Sequence, residues 1–396
     1  MNRKRILFVD DEPHVLEALS SLLRKQRTQW DMVFAGNAQS ALAELQQAPF
    51  DVIVSDMRMP GMDGAALLRI VMERYPTVAR IMLSGYADRD SLLRALPVVH
   101  QFLSKPCEID VLRSVIERTC RLQATLQDEA IRAIVGRMAT LPSVPAIYWE
   151  LRKAASRPNV SLSDMANVIE QDPAMTAKVL QLVNSEYFGL HCSITSIHQG
   201  VLYLGVEVLK GLTLIASAFS TLERAPCDGF SLAQVQQHSL RCARVASRLV
   251  RDAARTDDAL TAGLVHDIGT IILAVNAPLR FADVIRTSAI EGIPQHIVEQ
   301  RVFKTTHAEV GAYLLGVWGL PFSIVEAVAF HHHPSAVERG ARDVLAAVHL
   351  ADGLVDAADD DELQARLDLS FLASTDLGTD RSAWQSLVDE ESRTWP

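Results

Sequence analysis

Apolar residues in the first part of the chain come in short runs, Arg5–Val9, Met32–Ala35, Val52–Ser55, Ile81–Ser84 and Gln101–Leu103. Segments of helical period separate them, such as Val15, Leu16, Leu19, Leu22 and Leu23. Five β-strands alternating with five α-helices predict an α/β doubly wound, five-stranded parallel sheet, since alternating elements pack as helix layers on a sheet. From Pro145 to about Asp352 the apolar period is helical almost throughout, which predicts an all-α domain. Asp172-Pro173 reads there as an N-cap followed by a first-position proline, and Thr195-Ser196 offers another helix start. No Pro or Gly interrupts Cys107 through Val135, so the last helix of the first domain is expected to continue as a stiff connector. Pro142 and Pro145 mark the expected start of the second domain's first core helix. The expected organisation is a first domain over 1–122, a helical linker over 123–141, a helical domain over 142–355 and an acidic tail over 356–396.

The ends of the predicted strands carry the chemistry. Asp10 and Asp11 end the first strand, Asp56 the third, Ser84 the fourth, and Lys105 the fifth. In such sheets a site forms at the carboxyl ends of the strands. Three carboxylates crowded there need a cation, and hard oxygen ligands with an open side suit Mg²⁺. A carboxylate beside Mg²⁺ and an ammonium can attack a phosphoryl group, giving an aspartyl phosphate.

The segments VDDE, SDMRMPGMDG, LSGYAD and FLSKP stand in the order of the response-regulator receiver family, which residues 1–122 resemble. The resemblance implies a flavodoxin-like fold, with Asp56 as phosphoacceptor. It implies Mg²⁺ held by Asp10, Asp11, Asp56 and the backbone carbonyl of Arg58, and Lys105 on the phosphoryl group. Ser84 is then the switch hydroxyl and Phe102 the switch aromatic. A sensor histidine kinase is the implied partner, and receivers of this type often dimerise. Asp63 reads as a turn or helix-cap residue rather than a ligand.

The segments LPSVPAIYWEL, VIEQDPAMTAKVLQLVNSEYFG, ITSIHQGVLYLG and GLVHDIG are similar to the HD-related output domain (HDOD) family, over roughly residues 130–355. That resemblance implies a helical bundle related to HD-type metal-dependent phosphohydrolases and used in signalling. His238, His266, Asp267, His307, His331, His332 and Asp352 follow the order of the HD ligand series. Neutral imidazoles and carboxylates of this kind suit one or two divalent transition metals, and a bound metal can activate water. Thr270 stands where cyclic-di-GMP phosphodiesterases of this kin usually have Lys, and PSAVERG replaces their Gly-Tyr-Pro, which argues against that substrate. His191, His198, His296 and His349 fall outside the series and read as solvent or core histidines.

Charge narrows the output. The formal charge is −10; residues 1–122 carry 16 Lys and Arg against 15 Asp and Glu, the remainder 22 against 33. No basic stripe or helix-turn-helix pattern is present, which argues against DNA as the target. The five cysteines, Cys107, Cys120, Cys192, Cys227 and Cys242, never show CxxC spacing and read as small buried hydrophobes. The N-terminus lacks a signal-peptide pattern and the apolar stretches are short, so a cytoplasmic protein with no membrane contact is expected. The leading expectation is a phosphorylation switch that acts through an unidentified downstream protein rather than an enzyme. The competing expectation is a regulated metal-dependent phosphohydrolase.

Overall fold

The structure, a computed structural model, describes residues 3–85, 94–125, 129–138, 141–143, 147, 150–151, 153–154, 161–185, 193–214, 220–221, 225–337, 342–356, 363–364, 366–377, 382, 384, 386–387 and 390. Tyr86, Asp88, Pro145, His191, Cys192 and residues 359–362 of the acidic tail lie outside them.

The first domain is the α/β unit its pattern predicts. Strands β1 (Lys4–Val9), β2 (Trp30–Ala35), β3 (Val52–Asp56), β4 (Ala79–Gly85) and β5 (Gln101–Lys105) form one parallel sheet in the order β2-β1-β3-β4-β5. Helices α1 (Pro13–Leu22), α2 (Ala38–Gln47), α3 (Gly64–Arg74) and α4 (Ile109–Thr125) flank it, and the expected fourth crossover falls largely outside the described residues. Ile6, Phe8, Val52, Val54, Ile81 and Leu83 pack one face against Leu112, Val115 and Ile116 of α4. Leu7, Val9, Ile53, Met82 and Phe102 belong to the opposite face, whose apolar core is continuous with that of the helical domain.

The connector is α5 (Glu129–Gly136), separated from α4 by three residues outside the described set. It lies back against the first domain: the fully buried Arg80 on β4 donates from Nη2 to Gly136 O at 2.7 Å. The helical domain follows as α6 (Leu162–Ile169), α7 (Pro173–Val183), α8 (Ile197–Leu214, broken at Gly205), α9 (Leu232–Leu249), α10 (Thr256–Val265), α11 (Ile268–Asn276) and α12 (Pro278–Glu291). It continues through α13 (Gln295–Phe303), α14 (His307–Val317), α15 (Phe322–Phe330), α16 (Arg342–Asp356) and α17 (Leu369–Ala373). Asp172 caps α7 as expected, accepting from Met175 N at 2.9 Å with Pro173 at the first position. Pro142 starts no helix. Pro142–Ser143 instead pairs as a two-residue strand with Ser220–Thr221, an exception to the all-helical pattern.

The two domains touch directly. Gln181 on α7 donates to Val99 O and His100 O at 3.2 and 3.1 Å, and Lys178 donates to Leu96 O at 3.2 Å. Gln101 on β5 donates to Val317 O, at the last residue of α14, at 2.8 Å. The seam thus joins β5 and the loop before it to α7 and to one end of α14. Residues 253–276 have the length and hydropathy of a membrane span, but 83% of their most apolar 18-residue stretch is buried inside the protein.

Candidate functional site

Among the described residues, each domain carries a cluster of ionisable groups at the positions the sequence singled out. In the first, β1 and β3 are central strands, so the side chains at their ends are shielded on both sides: Asp10 and Asp56 are buried and Asp11 is half-buried. Lys105 at the end of β5 reaches across to donate to Asp10 Oδ2 at 2.8 Å and also to Asp56. Arg58 N donates to Asp56 Oδ2 at 2.7 Å, and Glu12 N to Asp10 Oδ1 at 3.0 Å. Burial lifts the Asp56 carboxyl above its ordinary range against the pull of Lys105. For Lys105 burial is outweighed by its bonds to Asp10 and Asp56, and its pKa rises. Ser84 and Phe102 are both buried, the ring turned inward on β5. An open cleft lined by Asp11, Met57, Arg58, Pro60, Asp63 and Arg94 leads to this cluster. Asp63 caps α3, accepting from Ala66 N at 2.8 Å. Two or three carboxylates around one exposed side fit a hard divalent cation.

In the helical domain all seven residues of the His/Asp series come together from five places in the fold. His238 projects from the middle of α9, His266 and Asp267 form the corner between α10 and α11, His307 opens α14, His331 and His332 follow α15, and Asp352 sits on α16. Glycine at 269 is required here. A Cβ on Gly269 would lie 1.9 Å from His307 O, so only a bare backbone lets α11 reach α14 and bring Asp267 within 3.2 Å of His307 Nε2. On one side, His238 Nε2 lies 3.2 Å from His266 Nε2 and 3.1 Å from Asp352 Oδ1. On the other, His332 Nε2 lies 3.0 Å from His307 Nε2. Asp267 stands between, with Oδ2 3.5 Å from His266 Nε2 and Oδ1 toward His307.

The tautomers point the free nitrogens inward. His266 Nδ1–H donates to Gly263 O and His331 Nδ1–H to Val328 O, each at 2.8 Å, which leaves each Nε2 a lone pair facing the cluster. His331 Nε2 is buried with no hydrogen-bond partner. Such an orphaned acceptor costs free energy unless a cation meets it. Burial holds His331 down at about 3 and His332 well below its ordinary value, so both imidazoles are neutral at pH 7. Asp267 and Asp352 are half-buried carboxyls that the surrounding histidines keep well below the carboxylate range. Neutral imidazoles and ionised carboxylates are the forms that bind a metal, so the residues present fit one or two divalent ions.

Several neighbours escaped the sequence pattern. Glu299 on α13 is fully buried and accepts from both His307 N and Nδ1, at 2.7 and 2.8 Å, which holds the His307 ring in one orientation, as a carboxylate behind a ligating histidine commonly does. Glu299 and Asp267 outweigh burial and raise His307 well above its ordinary pKa. His296 is not a detached histidine: its ring stacks on His332 with centroids 4.1 Å apart. His349 donates from Nδ1 to His331 O at 2.6 Å and accepts from Asp368 N, steadying the triplet. His198 does stand apart, 3.5 Å from Glu170. Cys242, one turn beyond His238, is no mere packing residue, since its Sγ lies 3.4 Å from His238 Nε2.

A parallel α/β domain with an Asp-Asp-Lys cluster, docked on a helical bundle with a buried His/Asp cluster, defines a signalling protein of receiver-plus-output design. Residues 6–117 match the response regulator receiver domain and residues 141–334 the HDOD domain. The chain is therefore a response-regulator-type protein carrying an N-terminal receiver and a C-terminal HDOD domain. Among curated relatives, an uncharacterised protein of Treponema pallidum is 28% identical over 229 residues, 58% of this chain and 44% of that one. The response regulator protein PilR of Pseudomonas aeruginosa is 32% identical over 131 residues, 33% of this chain and 29% of its own length. The chain thus spans less than half of these relatives. Among solved structures, a virulence factor of Campylobacter jejuni has a TM-score of 0.53 at 21% identity, over 67% of this chain and 96% of that one, a likeness of fold.

Proposed function

We propose that the protein is a cytoplasmic response regulator, phosphorylated on Asp56 by a sensor histidine kinase, that signals through its HDOD domain by binding another protein rather than DNA. The observation that carries this reading is the position of Lys105, whose ammonium bonds both Asp10 and Asp56. Asp56 Oδ attacks phosphorus and the P–N bond to the kinase histidine breaks. Lys105 then pairs with the phosphoryl oxygens, and the Ser84 hydroxyl on the adjacent strand donates to one of them. Asp10, Asp11, Asp56 and the Arg58 carbonyl would hold Mg²⁺, which when bound supplies neutralisation of the transferring charge. Phe102 shares β5 with Gln101, which is tied to α14, so a shift of the switch residues reaches the seam. The net charge of −10 and the missing basic stripe support a protein target, and a homodimer is compatible with the reading. In the test, the wild type incubated with acetyl phosphate and Mg²⁺ gains one phosphoryl group by intact mass and Asp56→Asn gains none. Equal labelling of both sinks the assignment.

The convergence of seven potential ligands favours a second reading: the HDOD domain holds divalent transition metal and hydrolyses a phosphoester under receiver control. Thr270 and Pro334-Ser335-Ala336 stand where relatives that cleave cyclic-di-GMP carry other residues, so that nucleotide is not the substrate this reading takes. Protein purified without chelator should carry about one or two metals per chain. The His266→Ala/Asp267→Ala variant should carry none, and metal-free wild type that also fails to bind added metal rules the reading out.

A further inference from the structure

Cys242 belongs to neither the HD ligand series nor any disulfide among the described residues. It lies four residues after His238 on α9, so both side chains leave the same helix face one turn apart. Its burial is complete. A Cβ on Gly263 would stand 2.8 Å from Ala243 Cα and 3.1 Å from Cys242 C. Only glycine lets α9 and α10 close to this distance, and that contact carries Cys242 and His238 onto His266.

The interatomic distances have the size of a coordination polyhedron. Nitrogen or oxygen ligands at about 2.0–2.1 Å and sulfur at about 2.3 Å, set at tetrahedral angles, stand roughly 3.3–3.6 Å from one another. His238 Nε2 is 3.4 Å from Cys242 Sγ, 3.2 Å from His266 Nε2 and 3.1 Å from Asp352 Oδ1, and His266 Nε2 is 3.7 Å from Asp352 Oδ1. Donor atoms of all four residues lie within 4.8 Å of one another. Two imidazole Nε2 atoms, a thiol and a carboxylate face one point, and His331 Nε2, which has no hydrogen-bond partner, lies beside them.

We propose that Cys242 is a thiolate ligand of the metal ion held by His238, His266 and Asp352. This rests on the metal-binding reading above and deepens it. Binding replaces the S–H bond by an S–metal bond, and the proton leaves to solvent. One sulfur among nitrogen and oxygen donors in a tetrahedral set selects zinc or a similar borderline ion over magnesium or manganese.

The test titrates metal-free full-length protein with Co²⁺ and records its visible d–d bands together with the near-ultraviolet thiolate-to-cobalt charge-transfer band. Wild type should show both. Cys242→Ser should keep the d–d bands and lose the charge-transfer band, and a band that persists in Cys242→Ser comes from another cysteine and overturns the proposal. Zinc K-edge absorption on wild type gives the same answer without a variant: one sulfur at about 2.3 Å supports the proposal, and only nitrogen and oxygen scatterers refute it. Absence of d–d bands and of bound zinc in wild type contradicts metal binding itself, whereas d–d bands without sulfur contradict Cys242 alone.

Discussion

Lys178 is the residue on which the domain seam turns. It is buried, its ammonium 4.6 Å over the Trp318 ring and bonded to Leu96 O across the boundary. Burial, reinforced by repulsion from Arg80, lowers it from 10.5 to about 7. Burial lowers Arg80 as well, to about 9, so its guanidinium is charged near pH 7. A base whose folded pKa is depressed penalises folding in full below the folded value, and the penalty shrinks as pH rises toward the unfolded value. Stability should therefore increase as pH rises from about 7 toward 10.5, with Lys178 adding nothing to the slope below 7. Denaturant melts across this range should show that trend in wild type and not in Lys178→Met. An unchanged slope in Lys178→Met contradicts the role given to this residue.

The same scale shows what single residues disclose from sequence. The Asp10, Asp11, Asp56 and Lys105 set is legible because strand ends in a parallel sheet share one edge, so order alone implies proximity. The His/Asp series is legible through its order. Glu299, His296, His349 and Cys242 are not, because each acquires its meaning from a helix crossing. Cys242 matters only once α9 meets α10, and Glu299 only once α13 lies under the first residue of α14.

Among elements, α14 has two ends with two jobs. Its first residue, His307, faces the His/Asp cluster, and its last, Val317, accepts from Gln101 of the receiver. Eleven residues at about 1.5 Å rise make it a rod of roughly 16 Å between them. A capping box from Thr306 and Glu309 fixes the cluster end. Position follows from Gly269, whose backbone abuts His307 O. Gly269→Ala must drive α11 off α14. It should cost about 1–3 kcal/mol of stability by thermal melting and abolish metal retention. A variant that melts like wild type with its metal intact contradicts the close approach. Helical period foretold α14 itself, but not that its far end would meet β5; the stiff connector expected from Cys107 through Val135 runs through residues 126–128, outside the described set, whereas the direct docking is seen.

For the whole molecule, the apolar core that begins on the Phe102 face of the receiver sheet continues into the HDOD domain, so a change on β5 meets packed side chains of that domain directly. Receiver and HDOD domain are thus in direct contact across the seam, with the Asp/Lys cluster on one side and the His/Asp cluster at the other end of α14. The most direct test is hydrogen–deuterium exchange on full-length wild type and Asp56→Asn, each with and without acetyl phosphate and Mg²⁺, read on residues 173–183 and 307–317. The account predicts that phosphorylation changes exchange several-fold in both helices of the wild type and leaves Asp56→Asn unchanged. Stoichiometric phosphorylation of Asp56 with identical exchange in both helices would contradict it.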